Sequence, residues 1–128
     1  MIDKIEKLIE KVRNKDYEAY EDLEYYLMQL SIEVANKKHN VELSRSNMEF
    51  KKAEYQIENR DKYNSDRTAS SHFKKDNADK INELEIMEAE ADLLQAKLKA
   101  YERFANFYKS DEIRWLALNK RLNWPNKS

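Results

Sequence analysis

Apolar side chains return every three or four residues over most of this chain, which keeps them on one face of an α-helix. Ile2, Ile5, Ile9 and Val12 set out a first short helix ending near Asn14. Asp16 then offers a carboxylate to free backbone N–H groups. With Glu18 and Glu21 near the positive end of the dipole, it predicts a second, long helix from Tyr17 to about residue 63. Along it Tyr20, Leu27, Val34, Val41, Met48 and Tyr55 recur every seven residues, with Leu23 and Leu30 at the alternate position of a coiled-coil seam. That alternate position turns polar later, as Lys37, Ser44 and Lys51. Residues 58–79 lose the periodicity and are rich in Asn, Asp and Ser, so a polar loop is expected over about 64–76. A third helix follows over about 77–108 on the seam Leu84, Met87, Ala91, Leu94, Leu98, Tyr101, Ala105 and Tyr108. Ser110 is placed to cap a terminal helix over about 111–123 that contains Ile113, Trp115, Leu116, Leu118 and Leu122 and stops at Trp124-Pro125.

Both long helices carry a second series. Leu43, Phe50 and Ile57 sit two residues after the first seam, nearly opposite it at about 100° per residue. Ile86, Leu93, Ala100 and Phe107 do the same on the third helix. A hairpin satisfies one face of each helix, and homo-oligomerisation is the economical way to cover the other. The expected architecture is therefore all-α and single-domain: an elongated hairpin of long helices with coiled-coil seams and short terminal helices, assembled into an oligomer through Leu43, Phe50, Ile57, Ile86, Leu93 and Phe107.

Composition narrows the chemistry. Gly is absent and Pro125 is the single proline, which removes the Gly-rich phosphate cradles of P-loop and dinucleotide sites. Without Cys there is neither a disulfide framework nor a thiolate metal site, which fits a reducing, cytoplasmic setting. The start, Met1-Ile2-Asp3-Lys4, mixes charge with apolar residues, so neither a signal peptide nor a membrane span is expected. His39 and His72 lack metal-ligand spacing, and Ser70, Ser71 and Ser110 have no base patterned beside them. No catalytic residue, metal or cofactor is expected.

Charge is near neutral in sum but blocked along the chain. Residues 1–35 carry 5 basic and 9 acidic groups, 36–80 carry 11 and 8, 81–92 carry none and 5, and 93–128 carry 8 and 3. Such blocks pair between chains or leave basic surfaces for a polyanion. The acidic run Glu83, Glu85, Glu88, Glu90 and Asp92 reads as a solvated helix face. Around the expected loop, Lys51, Lys52, Arg60, Lys62, Arg67, Lys74, Lys75 and Lys80 are interleaved with Tyr63, His72 and Phe73. Cations that track phosphates and rings that stack bases suit single-stranded nucleic acid; six acidic groups among them leave a solvated connector as an equal reading. Towards the end Lys109, Arg114, Lys120 and Arg121 accompany Trp115, which has packing spacing, and Trp124, which is free to anchor the tail or a partner.

Arg60, Tyr63 and Ser65 stand at the spacing of an Arg-x-x-Tyr-x-Ser segment between two long helices, and Arg121 with Trp124 forms a later basic-aromatic pair. Over about residues 40–124 the chain resembles the phage recombination-mediator proteins of the UvsY type, although Glu58 stands where that family tends to carry a basic residue. The resemblance implies a ring-forming protein that binds single-stranded DNA and helps a recombinase replace single-strand-binding protein. The expected contacts are Arg60, Lys62, Tyr63, Arg67, Lys74, Lys75 and Arg121. The alternative is a small helical inhibitor or adaptor that docks on a host protein without touching nucleic acid.

Overall fold

A computed structural model describes the backbone of residues 1–16 and 18–127 and the side chains of residues 1–16 and 18–110. The protein is all-α: α1 is Ile2–Arg13, α2 Glu18–Glu58, α3 Asp66–Asp76 and α4 Ala78–Lys127, with no strand among the described residues. The chain divides into two compact units, one of Met1–Glu33 with Gln95–Ser128 and the other of Val34–Leu94.

In the first unit, three helical segments bury Ile5, Leu8 and Val12 from α1, Ala19, Tyr20, Leu23, Leu27 and Leu30 from α2, and Leu98 and Ala105 from α4. Removing each large aliphatic side chain from water stabilises the unit by about 1.5–3 kcal/mol. The buried face of α1 turns towards Leu8, and Ile9, expected on the seam, instead lines a cleft with Tyr101 and Phe104. Polar rims fix the three segments against each other. Tyr101 Oη donates to Glu6 Oε1 at 3.0 Å, the Arg13 guanidinium lies 5.6 Å from the Phe104 ring centre, and Lys4 Nζ lies 5.3 Å from that of Tyr26. The exposed Lys109–Glu24 pair, at 3.8 Å, adds little in high dielectric.

In the second unit α2 buries Val34 and Val41, α3 buries Ala69 and Phe73, and α4 buries Ala91. Met48 and Tyr55 on α2 are half-buried. Arg45 of α2 reaches Glu88 of α4 with both Nε and Nη2. Glu88 is half-buried while Met87, expected on the seam, is exposed, so an ion pair occupies the place predicted for an apolar contact.

The segment expected as a loop over 64–76 is mostly helix. The Ser65 side chain accepts from Thr68 N–H at 3.2 Å, satisfying a free donor of the first turn, and Lys74 and Lys75 favour the negative end of the dipole. Two apolar side chains four apart, Ala69 and Phe73, supply the buried face. The preceding helix stops at Glu58, five residues short of the expected end: Asn59 N–H still bonds to the Tyr55 carbonyl at 3.0 Å and its Nδ2 joins the same oxygen at 2.9 Å, but Arg60 N–H turns to the Ile57 carbonyl at 3.4 Å instead of continuing the ladder. Between α3 and α4 a single residue, Asn77, makes the turn, donating from its side chain to the Phe73 carbonyl at 2.9 Å.

The break expected at Ser110 is not formed, and the backbone of α4 continues to Lys127. Ser and Asp cost only tenths of a kcal/mol in a helix interior, and Pro125 removes a bond only in the last turn. Tyr17, named as the start of the second helix, and the side chains of Trp115, Arg121 and Trp124 lie outside the described residues.

The turn after α1 shows what a chain without glycine must do. Lys15 N–H bonds to the Val12 carbonyl at 2.9 Å and Asp16 N–H to the Lys11 carbonyl at 3.0 Å, the pattern of a Schellman motif. Its left-handed position is held by Lys15 at φ 67°, where a Cβ crowds the backbone by about 1–2 kcal/mol. Lys15→Gly is expected to raise the thermal midpoint by a few degrees at unchanged helicity, measured by circular dichroism; a lowered midpoint contradicts the strain assigned to this turn.

Candidate nucleic-acid interface

The residues expected to contact nucleic acid fall, where described, in the second unit, on α3 and on the turn that leads to it. Arg60 and Lys62 are exposed on that turn, and Arg67, Lys74 and Lys75 are exposed on α3. Arg67, Ser71 and Lys74 share one stripe of α3, within about 60° of one another at 3.6 residues per turn, on the side away from Ala69 and Phe73. The acidic residues of this helix, Asp66 and Asp76, stand at its two ends. Among the described residues none of Arg60, Lys62, Arg67, Lys74 and Lys75 is held in an ion pair, and the pairs that do form, Arg45–Glu88 and Lys109–Glu24, lie elsewhere. Folding an expected loop into a helix thus converts scattered cations into a fixed cationic stripe.

Beside this stripe four rings form one cluster. Tyr63 stacks on His72 with centroids 4.6 Å apart and planes 18° from parallel. Tyr55 lies 6.2 Å from Tyr63 and 5.7 Å from Phe73. The two tyrosine hydroxyls are 3.0 Å apart, and Lys62 Nζ is 5.7 Å from the Tyr63 ring centre. Such ring pairs each contribute about 0.5–1.5 kcal/mol beyond area burial, so the cluster ties the end of α2 to α3. Phe73 is buried and belongs to the core. Tyr63 is half-buried with its hydroxyl and ring engaged, whereas His72 is exposed. The exposed ring of the cluster is therefore that of His72, and Tyr63 holds it in place.

A cleft of about 230 Å³ opens on the same turn, lined among others by Gln56, Asn59, Arg60, Tyr63 and Asn64. Residue spacing gave no warning of it. The amides are visible in the sequence, but only the bend after Glu58 gathers them.

The residues expected at an oligomer interface are all at the surface. Leu43, Phe50 and Ile57 on α2, and Ile86 and Leu93 on α4, are 51–65 % exposed in the second unit, and Phe107 is 68 % exposed in the first. Arg121 lies outside the described side chains. Among the described residues no group of His, Cys, Asp or Glu is placed to hold a metal ion, and no helix is long and apolar enough to cross a membrane.

The hydrogen bond from one hydroxyl to the other, followed by burial, pushes the Tyr55 phenol up to about 12. Because the folded value lies above the usual 10, this contact supports the fold in full below pH 10 and is lost as pH rises towards 12. Burial and the hydrogen bond to Glu6 also raise the Tyr101 phenol, so ultraviolet titration is expected to show more than one late-ionising tyrosine, of which one returns towards pH 10 in Tyr63→Phe; an unchanged titration in that variant means the bond is not made in solution.

Compared with protein-family models, curated proteins and solved structures, the chain matches none of them.

Proposed function

We propose that this protein is a non-enzymatic, oligomeric single-stranded-DNA-binding accessory of the recombination-mediator kind, with α3 and the turn before it as the contact surface. The observation that carries the reading is the set of exposed cations, Arg60, Lys62, Arg67, Lys74 and Lys75, that no carboxylate within the described chain neutralises. Phosphates that displace their own counterions onto such groups bind with a salt-dependent affinity and little base preference. His72 adds a ring on which an unpaired base can stack, which a duplex does not offer. A recombinase or single-strand-binding protein is the partner class this reading implies, with the cytoplasm, of a host cell for a phage protein, as the setting.

Assembly is the second half of the proposal. Leu43, Phe50 and Ile57 repeat every seven residues along exposed α2, and Ile86 and Leu93 repeat likewise on α4. Two sevenfold stripes match each other's spacing, as coiled-coil packing between copies requires. Joining several weak cationic sites in one particle raises the affinity for a long strand without any new contact.

The protein-binding alternative rests on a different observation: Glu83, Glu85, Glu90 and Asp92 are exposed on α4 beside Ile86 and Leu93 and take part in no ion pair among the described residues, which fits a basic protein surface.

Fluorescence anisotropy of a labelled single strand, with a duplex of equal length as control, separates the two. Binding that favours the single strand and weakens with salt is expected, and Arg67→Ala with Lys74→Ala is expected to reduce the salt slope by roughly 0.7 for each phosphate left without its cation. No binding even at low salt overturns the DNA reading and leaves the protein-binding one. For assembly, light scattering is expected to give a particle of several chains that Phe50→Glu with Ile57→Glu reduces to a monomer while helicity is kept; an unchanged mass removes this stripe from the interface.

A further inference from the structure

The exposed stripe of α4 carries a charge pattern that the stripe of α2 lacks. Ile86 and Leu93, 51 % and 60 % exposed, alternate with the exposed Ala89, Ala96 and Ala100 at steps of three and four, so large and small side chains share one face of a single helix. A row of charge runs on either side of that face. One row is Glu83, Glu90 and Lys97 and the other Glu85, Asp92 and Lys99; all are exposed and none is in an ion pair among the described residues. Both rows change sign between Asp92 and Lys97. A face that is acidic in its first half and basic in its second complements a copy of itself only when that copy runs the opposite way. Beside Leu43 and Phe50 on α2 stand Glu42, Glu49 and Glu54, and no cation answers them in the same rows.

We propose that two copies of this chain pair through α4, antiparallel, across a two-fold axis that passes between Leu93 and Ala96. The proposal rests on the assembly half of the reading above and gives it an orientation and a register. In this pairing Leu93 of one copy packs on Ala96 of the other and Ala89 on Ala100, while the aliphatic stem of Arg103 covers Ile86. Glu90 then faces Lys97 and Asp92 faces Lys99, and the two-fold axis makes each pair twice. A slip of one heptad in one direction sets Glu90 against Glu90 and Asp92 against Asp92. A slip in the other sets Lys97 against Lys97 and Lys99 against Lys99, so charge selects a single register. The apolar stripe of α2 adds its area on the same side. In the second unit Arg45 and Glu88, four residues beyond Val41 and Leu84, meet on one side of α2 and α4, whereas Leu43 and Ile86, two residues beyond them, lie about 160° away on each helix.

Charge reversal tests the pairing on the whole chain. Sedimentation equilibrium at low salt is expected to show self-association that Glu90→Lys or Lys97→Glu, each tested alone, weakens by about tenfold, because two exposed attractions become two repulsions. Circular dichroism checks that helicity is kept. An equimolar mixture of the two variants is expected to associate as tightly as the unaltered protein, since each variant then meets its opposite charge on the other. Orientation has its own readout. The chain has no cysteine, so a spin label carried by Glu85→Cys sits at one place per copy. The antiparallel register puts two such labels about 30 Å apart along the helices, whereas a parallel pair puts them about 10 Å apart. Association that neither charge variant weakens overturns the α4 contact and leaves assembly standing. A mixture that fails to recover overturns the register, and the short label distance overturns the antiparallel orientation. An unaltered protein that stays monomeric at every concentration overturns the assembly reading itself.

Discussion

Burial of a narrow apolar stripe is the interaction on which the rest of this molecule depends. Each helix submerges about one side chain per turn, as with Ile5, Leu8 and Val12 on α1 or Tyr20, Leu23, Leu27 and Leu30 on α2, and no polar or charged side chain is buried among the described residues. A stripe that narrow stabilises a helix only while a second stripe lies against it. The remaining circumference of each helix has to be soluble, which accounts for a chain with 38% charged residues. It also accounts for the importance of the exceptions. Phe50 at 65 % and Ile57 at 63 % exposure stand on the side that should be polar.

Connecting such helices without glycine imposes the second constraint. Lys15 takes a left-handed conformation at some cost, the Asn59 side chain joins its own N–H on the Tyr55 carbonyl where α2 ends, and Asn77 turns the chain between α3 and α4 in one residue. The latter two use side chains for what glycine does through its backbone. They also decide geometry. The bend at Asn59 leads into the turn that carries Tyr63 against Tyr55, the ring cluster then fastens Phe73 and His72, and α3 is held with Arg67, Ser71 and Lys74 facing outward.

Charge is distributed by the same logic. Arg45 and Glu88 neutralise each other between α2 and α4 in a largely solvent-exposed pair. The cations of α3 have no such partner, and water is what solvates them in the free protein. In the proposed function a polyanion replaces that water with phosphate at little reorganisation cost, because α3 already holds the side-chain origins in place. This is the physical content of the proposed function.

All-helical character was legible in the sequence because periodicity, abundant helix formers and the lack of Gly all point the same way, and local agreement of that kind leaves no competing class. The exposure of Leu43, Phe50, Ile57, Ile86 and Leu93 was legible as well, since a residue nearly opposite a buried seam has nowhere else to face. The chain by itself did not disclose α3, whose short, polar run has only Ala69 and Phe73 to pack; its helix exists because Ser65 caps it and Tyr55 receives Phe73. Nor did it disclose that Tyr63 is engaged within the protein, or that Gln56 and Asn59 line one cleft. Those facts depend on contacts between residues eight to eighteen positions apart across a bend. Sequence determines the periodic face of each helix, because that is a property of spacing alone; only tertiary packing decides which polar side chains find partners, because that depends on where the turns send them.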